Sequence, residues 1–239
     1  MGVASRTMAR RLIEEGRVRV NNKICKNPNL RIHLKKDKIC IDDILLKSAE
    51  KIYVALNKPR GLVTTASDEK GRATVYERLK HFHNVWLAPV GRLDKASEGL
   101  IFFTNDTDWA EKILNPSSHL PKTYHIQINR HLTESELKTL QSGVILDDGT
   151  IARPEKIQLL RSGKKNCWLE IALCEGLNRE IRRMMKVIDA EVLRLIRVAI
   201  GPIKLGDLPK GETRLLTEQE LKVIDDFLSR LITYNTNLH

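Results

Sequence analysis

Two seven-residue stretches, KTYHIQI at 122–128 and CWLEIAL at 167–173, restrict the fold more than any other feature of the chain. Successive side chains on an extended strand point to opposite faces, so Tyr124, Ile126 and Ile128 share one face, as do Cys167, Leu169, Ile171 and Leu173. Each stretch reads as a half-buried strand whose apolar face needs a cover. Helical segments supply candidates. TESELKTLQSG sets Thr133 and Glu136 at capping-box spacing and stops at Gly143, and TEQELKVIDDFL repeats the device with Thr217 and Glu220. NREIRRMMKVID places Ile181, Met184, Met185 and Ile188 on one helical face, with Asn178 as the expected N-cap. Strands outnumber helices and do not alternate with them regularly, which predicts an α+β fold with a central mixed, largely antiparallel sheet.

The first 48 residues read differently. SRTMARRLIEEG has a capping Ser5, apolar Met8, Leu12 and Ile13 at helical spacing, and Gly16 as a stop. RVRVNNKICKNP alternates around an Asn-Asn turn and predicts a hairpin, and DKICIDDILL supplies a further strand. The chain carries a net charge of +11, and residues 1–40 hold eleven Lys/Arg against three Asp/Glu. Arg6, Arg10, Arg11, Arg17 and Arg19 cluster about the helix and its exit. So concentrated a positive charge fits a polyanion, because neutralising phosphates releases condensed counterions; it also fits a solvated basic face. The excess ends near residues 47–51, where a new apolar pattern starts, so a small α/β domain is expected over 1–48 and a larger one over 51–230.

No run of about 18 apolar residues suggests a membrane span, and the N-terminus lacks the apolar core of a secretory signal. Met1-Gly2 with Ser5 is not read as a myristoylation site. Cys25, Cys40, Cys167 and Cys174 are too irregularly spaced for a zinc ribbon or a CxxC pair, and are expected as reduced, mostly buried thiols of a cytoplasmic protein. His81 and His83 are expected on one side of a strand with no further ligands beside them, so no metal site is expected.

GRLDKASEGL, at 91–100, puts Asp94 where an aspartate is ordinarily a turn former or a surface charge. Four other segments accompany it in order: NKPRGLVTT at 57–65, KTYHIQI, EGLNREIRRMM at 175–185, and LIRVAIGPIKLGDLPKGE at 195–212. Together these resemble the ribosomal-RNA pseudouridine synthases of the RsuA/RluB type. The resemblance implies the pseudouridine-synthase fold and Asp94 as the catalytic residue. It implies that Tyr124 stacks on the extruded uracil or helps remove its C5 proton, that Arg182 pairs with Asp94, and that Arg92 helps open the RNA so the target base can leave its stack. Lys58, Arg60, Lys122 and Arg179 become candidates for phosphate contacts, each equally open to being a surface charge. Arg183 is expected on a solvated helix face or a phosphate. Ser97 and Gly99 match small-residue positions beside the site, whereas Leu177 stands where the family commonly has a basic or polar residue. Residues 1–48 resemble an S4-like RNA-binding domain, SRTMARRLIEEGRVRVNNK matching its second helix and the turn after it. The helix usual before that point is absent, so a shortened module is expected.

Isomerising uridine to pseudouridine breaks the C1′–N1 bond, turns the uracil and joins its C5 to the same sugar carbon. Nothing is oxidised, so neither cofactor nor metal is expected. A carboxylate can stabilise positive charge at C1′, attack it, or remove a sugar proton, and the sequence leaves these open. The expected enzyme is a monomeric, cytoplasmic isomerase acting on ribosomal RNA or a pre-ribosomal particle, with large-subunit (23S) RNA favoured over small-subunit (16S) RNA. Two rivals stand beside it: a non-catalytic RNA-binding ribosome-assembly protein, and a hydrolase using Asp94 with a second acid such as Glu98.

Overall fold

The computed structural model describes residues 3–33, 36–47, 49–66, 68–82 and 85–236; Met1, Gly2 and His83 lie outside them. Helix α1 (Arg6–Glu14) starts at Ser5, whose hydroxyl accepts from the Met8 amide at 3.2 Å. Leu12 is buried against Val18 and Ile39, while Met8 is exposed. Strands β1 (Val18–Val20) and β2 (Lys23–Cys25) pair around Asn21-Asn22, both at positive φ (51° and 68°). DKICIDDILL forms two strands rather than the one expected, β3 (Ile39–Ile41) and β4 (Ile44–Leu45), which turn at Asp42-Asp43 with φ of 48° and 65°. Asn and Asp tolerate the left-handed region that such two-residue hairpin turns demand. The four strands form one sheet in the order β2-β1-β3-β4.

The remaining strands are β5 (Tyr53–Lys58), β6 (Ala88–Val90), β7 (Glu98–Thr104), β8 (Lys122–Ile128), β9 (Val144–Ile145), β10 (Ile151–Ala152), β11 (Lys156–Ser162), β12 (Cys167–Leu173), β13 (Val192–Ile200), β14 (Ile203–Lys204) and β15 (Thr213–Leu215). All but the β9–β10 ladder join a nine-stranded sheet of order β11-β12-β8-β13-β7-β5-β15, with β14 on β13 and β6 on β7. Every pairing in it is antiparallel except β13 with β7, so the sheet is mixed and the fold α+β. The four further helices are α2 (Thr107–Leu114), α3 (Glu134–Ser142), α4 (Glu180–Val187) and α5 (Glu218–Thr236).

The alternation of β8 and β12 places Ile126, Ile128, Leu169 and Ile171 in one core with Leu140 of α3 and Ile181, Met184 and Met185 of α4. Strand β7 is buried at every residue because both its faces are covered. Leu100 and Phe102 meet Trp109 and Ile224, while Ile101 and Phe103 meet Leu62, Val75 and Leu87. Each such side chain contributes about 1.5–3 kcal/mol by burial, which makes β7 a rigid base for the loop that precedes it.

Both capping boxes form: Thr133 with Glu136, and Thr217 with Glu220. The third cap differs from expectation. Arg179, not Asn178, is the N-cap of α4, at φ 51° and without a side-chain capping bond. His81 lies in a 3-10 turn (Lys80–Phe82) rather than a strand. Cys167 is buried and the other three free cysteines are half-buried. Among the described residues no helix is long and apolar enough to cross a membrane, and no group of three or more His, Cys, Asp or Glu side chains could hold a metal ion.

Candidate active site

The two halves of the large sheet meet at a short parallel pairing, Glu98 with Ile196 and Gly99 with Arg197. Gly99 has φ 103°, and a Cβ there would stand 2.2 Å from the Arg197 carbonyl oxygen, so only glycine allows the strands this close. Beside the junction lies a cleft of about 630 Å³. The loop before β7, the start of β8 and the segment leading into α4 all line it, bringing Arg92, Asp94, Lys122, Tyr124, Arg179 and Arg182 together.

The loop bearing Asp94 is held from beneath. Lys58 is fully buried, and its Nζ donates to the carbonyls of Ser97 (2.8 Å), Asp94 (3.1 Å) and Pro59 (3.1 Å). Thr64 Oγ1 donates to the Leu93 carbonyl at 2.8 Å, and the Gly61 amide to that of Lys95 at 2.7 Å. The Asp94 backbone is thus fixed while its carboxylate remains 43% exposed to the cleft. Lys58 is therefore no phosphate contact: its ammonium is spent on three main-chain carbonyls. Burial pushes its pKa down to about 8, with Asp94 and Glu98 opposing the fall.

The ion-pair contact to Asp94 comes from Arg179, Nη1 to Oδ2 at 3.9 Å, and not from Arg182. The left-handed backbone at Arg179 turns the chain into α4 with this side chain at the cleft. Arg182 is half-buried one turn on; Nη1 donates to the Val192 carbonyl at 3.0 Å, and Nε is buried without a partner. Burial lowers its pKa, as do Arg179 and Arg60, while Asp94 acts in the opposite sense. Arg182 thus feels the Asp94 charge without touching it. Arg60 is exposed and does not line the cleft.

Glu180 carries no signal of its own in the sequence. It is 4% exposed, its Oε2 accepts the Leu177 amide at 3.2 Å, and its Oε1 has no partner. Burial raises its pKa to about 7, Glu175 adding to the rise. Glu98, the second acid of a hydrolase reading, is bound elsewhere, by Arg194 at 3.1 Å and Lys210 at 2.5 Å. Burial favours its acid form, but these two cations outweigh it and hold the carboxyl below its ordinary range.

Arg183 departs from the expected solvated or phosphate-binding role: its guanidinium clasps Asp147 at 2.5 Å and Asp148 at 2.6 Å. None of the N-terminal arginines lines the cleft. Arg11 pairs with Glu15, Arg17 with Asp42 and Arg19 with Asp43. Arg6 and Arg10 are exposed and have no ion pair among the described residues.

Arg197, absent from the expected site, is a buried guanidinium on the cleft wall. The sequence does hold a signal for it: one arginine at an inward position of the otherwise apolar LIRVAIG.

The family model described as RNA pseudouridylate synthase matches residues 52–186, and the S4 domain model matches residues 1–39. The ribosomal large subunit pseudouridine synthase B of Bacillus subtilis is 35% identical over 223 residues, which cover 92% of this chain and 90% of that protein. A protein of Aquifex aeolicus named as an uncharacterized RNA pseudouridine synthase is 38% identical, over 92% of this chain and 88% of its own length. A solved structure titled as a pseudouridylate synthase superposes with a TM-score of 0.67 at 28% identity, over 92% of this chain and 94% of that one.

Proposed function

The chain belongs to the RNA pseudouridylate synthase family, and from that premise we propose that it converts a specific uridine of large-subunit ribosomal RNA to pseudouridine, with Asp94 as the reacting carboxylate. That it is an RNA pseudouridine synthase, an isomerase, follows from the family itself. The observation that carries the assignment of residues is the cleft: Asp94, on a pinned backbone, shares it with Tyr124 and with two guanidiniums from α4 and its cap. Arg92 occupies its rim and serves to displace the target nucleotide from its stack. The base then meets Tyr124, whose ring offers a stacking surface and whose phenol a proton acceptor. Asp94 acts at C1′ as nucleophile, as counter-charge or as base to a sugar proton, with the Arg179 guanidinium 3.9 Å from its carboxylate and Arg182 lining the same cleft.

Residues 51–230 form the catalytic domain in this reading, and residues 1–48 an S4-like module that grips RNA through phosphates. Large-subunit RNA is favoured because the Bacillus subtilis relative bears that substrate in its name. In this reading the enzyme works as a monomer. Ribosomal RNA as substrate, and four unbridged cysteines, fit a reaction carried out in the cytoplasm.

Mapping pseudouridines in ribosomal RNA from cells with and without the gene tests the proposal. Loss of at least one pseudouridine from the large-subunit RNA is expected. An unchanged map, or a change confined to the small-subunit RNA, contradicts it.

A further inference from the structure

The wall of the cleft beside Tyr124 carries two cations, Lys122 and Arg197, and neither has an ion pair among the described residues. Lys122 stands two residues before Tyr124 on β8, on the same face, and Arg197 is the direct cross-strand partner of Tyr124 on β13. Both line the cleft with Asp94. Arg197 is 5% exposed; its Nε donates to the Leu100 carbonyl at 2.6 Å, and its Nη2 is buried with no partner. Lys122 feels Arg197 as a repulsive neighbour, which adds to the effect of burial in lowering its pKa, with Cys174 opposing. Two cations without an ion pair, one of them shut from water, are costly to fold around, and a buried donor without an acceptor asks for a ligand.

The proposed reaction supplies such a ligand. When the C1′–N1 bond breaks, its electron pair goes to N1 of the uracil, and the ring spreads the negative charge over O2 and O4. The ring turns, C5 gives an electron pair to C1′, the C5 proton leaves and N1 takes one up, so the product has the formula of the substrate. The detached base is thus an anion during the step in which it must neither escape nor react with water.

We infer that Lys122 and Arg197 form a subsite for this anion, holding the uracil oxygens while the base is detached. The inference rests on the pseudouridine-forming reading of the cleft. Exposure separates this role from phosphate binding. The cations reachable by an RNA backbone are exposed, as Arg92 and Arg179 are, whereas Arg197 is sealed in the wall. Phosphates stay with the polymer at the mouth; the base is the part of a flipped nucleotide that goes deepest. Donors fixed where charge develops, in a site shielded from water, stabilise the transition state without reorganising.

The test uses the full chain and the complete set of ribosomal RNAs transcribed in vitro. Binding is measured at several salt concentrations, and pseudouridine formation in single turnover at saturating enzyme, for wild type, Lys122→Met, Lys122→Arg, Lys122→Ala and Arg197→Lys. Lys122→Met is expected to lose about 100-fold or more in saturated rate with unchanged Kd and salt slope. Lys122→Arg recovers a large part of the loss, and added methylammonium speeds Lys122→Ala but not wild type. Arg197→Lys, which keeps the charge but loses the fork, falls between wild type and Lys122→Met. A normal saturated rate in Lys122→Met overturns the inference, as does a loss confined to Kd with a shallower salt slope, the mark of a phosphate clamp. A lost rate that neither arginine nor methylammonium restores assigns Lys122 a structural part and also overturns it. Wild type forming no pseudouridine in these RNAs contradicts the underlying reading, and so is distinguishable from each of these results.

Discussion

The ammonium of Lys58 donates to the main-chain carbonyl of Asp94 at 3.1 Å, so a buried lysine on β5 fixes the backbone of the residue proposed to react. Lys58→Met keeps the bulk of the stem and leaves the carbonyls of Pro59, Asp94 and Ser97 without this donor. Buried acceptors stripped of a partner cost about 1–3 kcal/mol each and are not strictly additive, so a loss of about 2–4 kcal/mol is expected. Urea unfolding measures it. Unchanged stability with weakened RNA binding would return Lys58 to the role of a phosphate contact.

Arg179 and Arg182 are distinguishable by substitution. Arg179 meets Asp94 at 3.9 Å from an exposed position, and exposed pairs contribute at most about 1 kcal/mol, so Arg179→Ala is expected to slow the saturated reaction less than about tenfold. Arg182 acts from a half-buried position, and Arg182→Met is expected to cost about 100-fold. Single-turnover rates at saturating enzyme decide. The reverse order would make Arg179 the working partner of the aspartate.

Glu180 couples stability to pH. Burial raises its pKa from 4.5 to about 7, so the folded chain holds a proton that the unfolded chain releases. Stability from this group is full below about pH 4.5 and is lost as pH rises to about 7, by about 3 kcal/mol at most. Glu180→Gln abolishes that loss, so the variant gains on wild type across this window. Urea midpoints from pH 4 to pH 8 measure the difference; parallel profiles would contradict the buried, proton-holding carboxyl.

The N-terminal arginines divide by their partners. Arg17 is tied to Asp42 and Arg19 to Asp43, whereas Arg6 and Arg10 stand on α1 without an ion pair among the described residues. Arg6→Ala with Arg10→Ala is expected to weaken RNA binding across sequences and to lower the salt slope by about 0.7–0.9 for each phosphate no longer neutralised, with the saturated rate unchanged. Binding isotherms at several salt concentrations measure this. An unchanged slope would show that this face of α1 does not grip phosphates.

Which of these features the sequence discloses follows from how local each one is. The strands at 122–128 and 167–173 are legible because alternation is written residue by residue, and the capping boxes because both partners lie three residues apart. Asn21-Asn22 announces its hairpin, whereas the same geometry at Asp42-Asp43 is hidden inside a run that reads as one strand, although Asp also tolerates positive φ. Asp94, Tyr124 and Arg182 do share one cleft. Lys58 reads as a surface cation because its acceptors on Asp94 and Ser97 lie 36 and 39 residues away, and only tertiary packing shows an ammonium to be buried. Arg179 takes the cap expected of Asn178, and the Leu177 amide just before it is held by Glu180 from inside the fold, a contact that no local spacing rule announces. Arg183 reads as free because its partners, Asp147 and Asp148, belong to a distant turn.

If Asp94 performs the chemistry while cationic side chains supply the RNA grip, removing its charge must abolish the reaction and spare the binding. Asp94→Asn preserves the shape and the main-chain contact with Lys58 while removing that charge. The decisive measurement is single-turnover pseudouridine formation by this variant at saturating enzyme, with Kd determined on the same RNA. No detectable pseudouridine is expected, at a Kd within a few-fold of wild type. Product formation at a rate near that of the wild type would contradict the assignment.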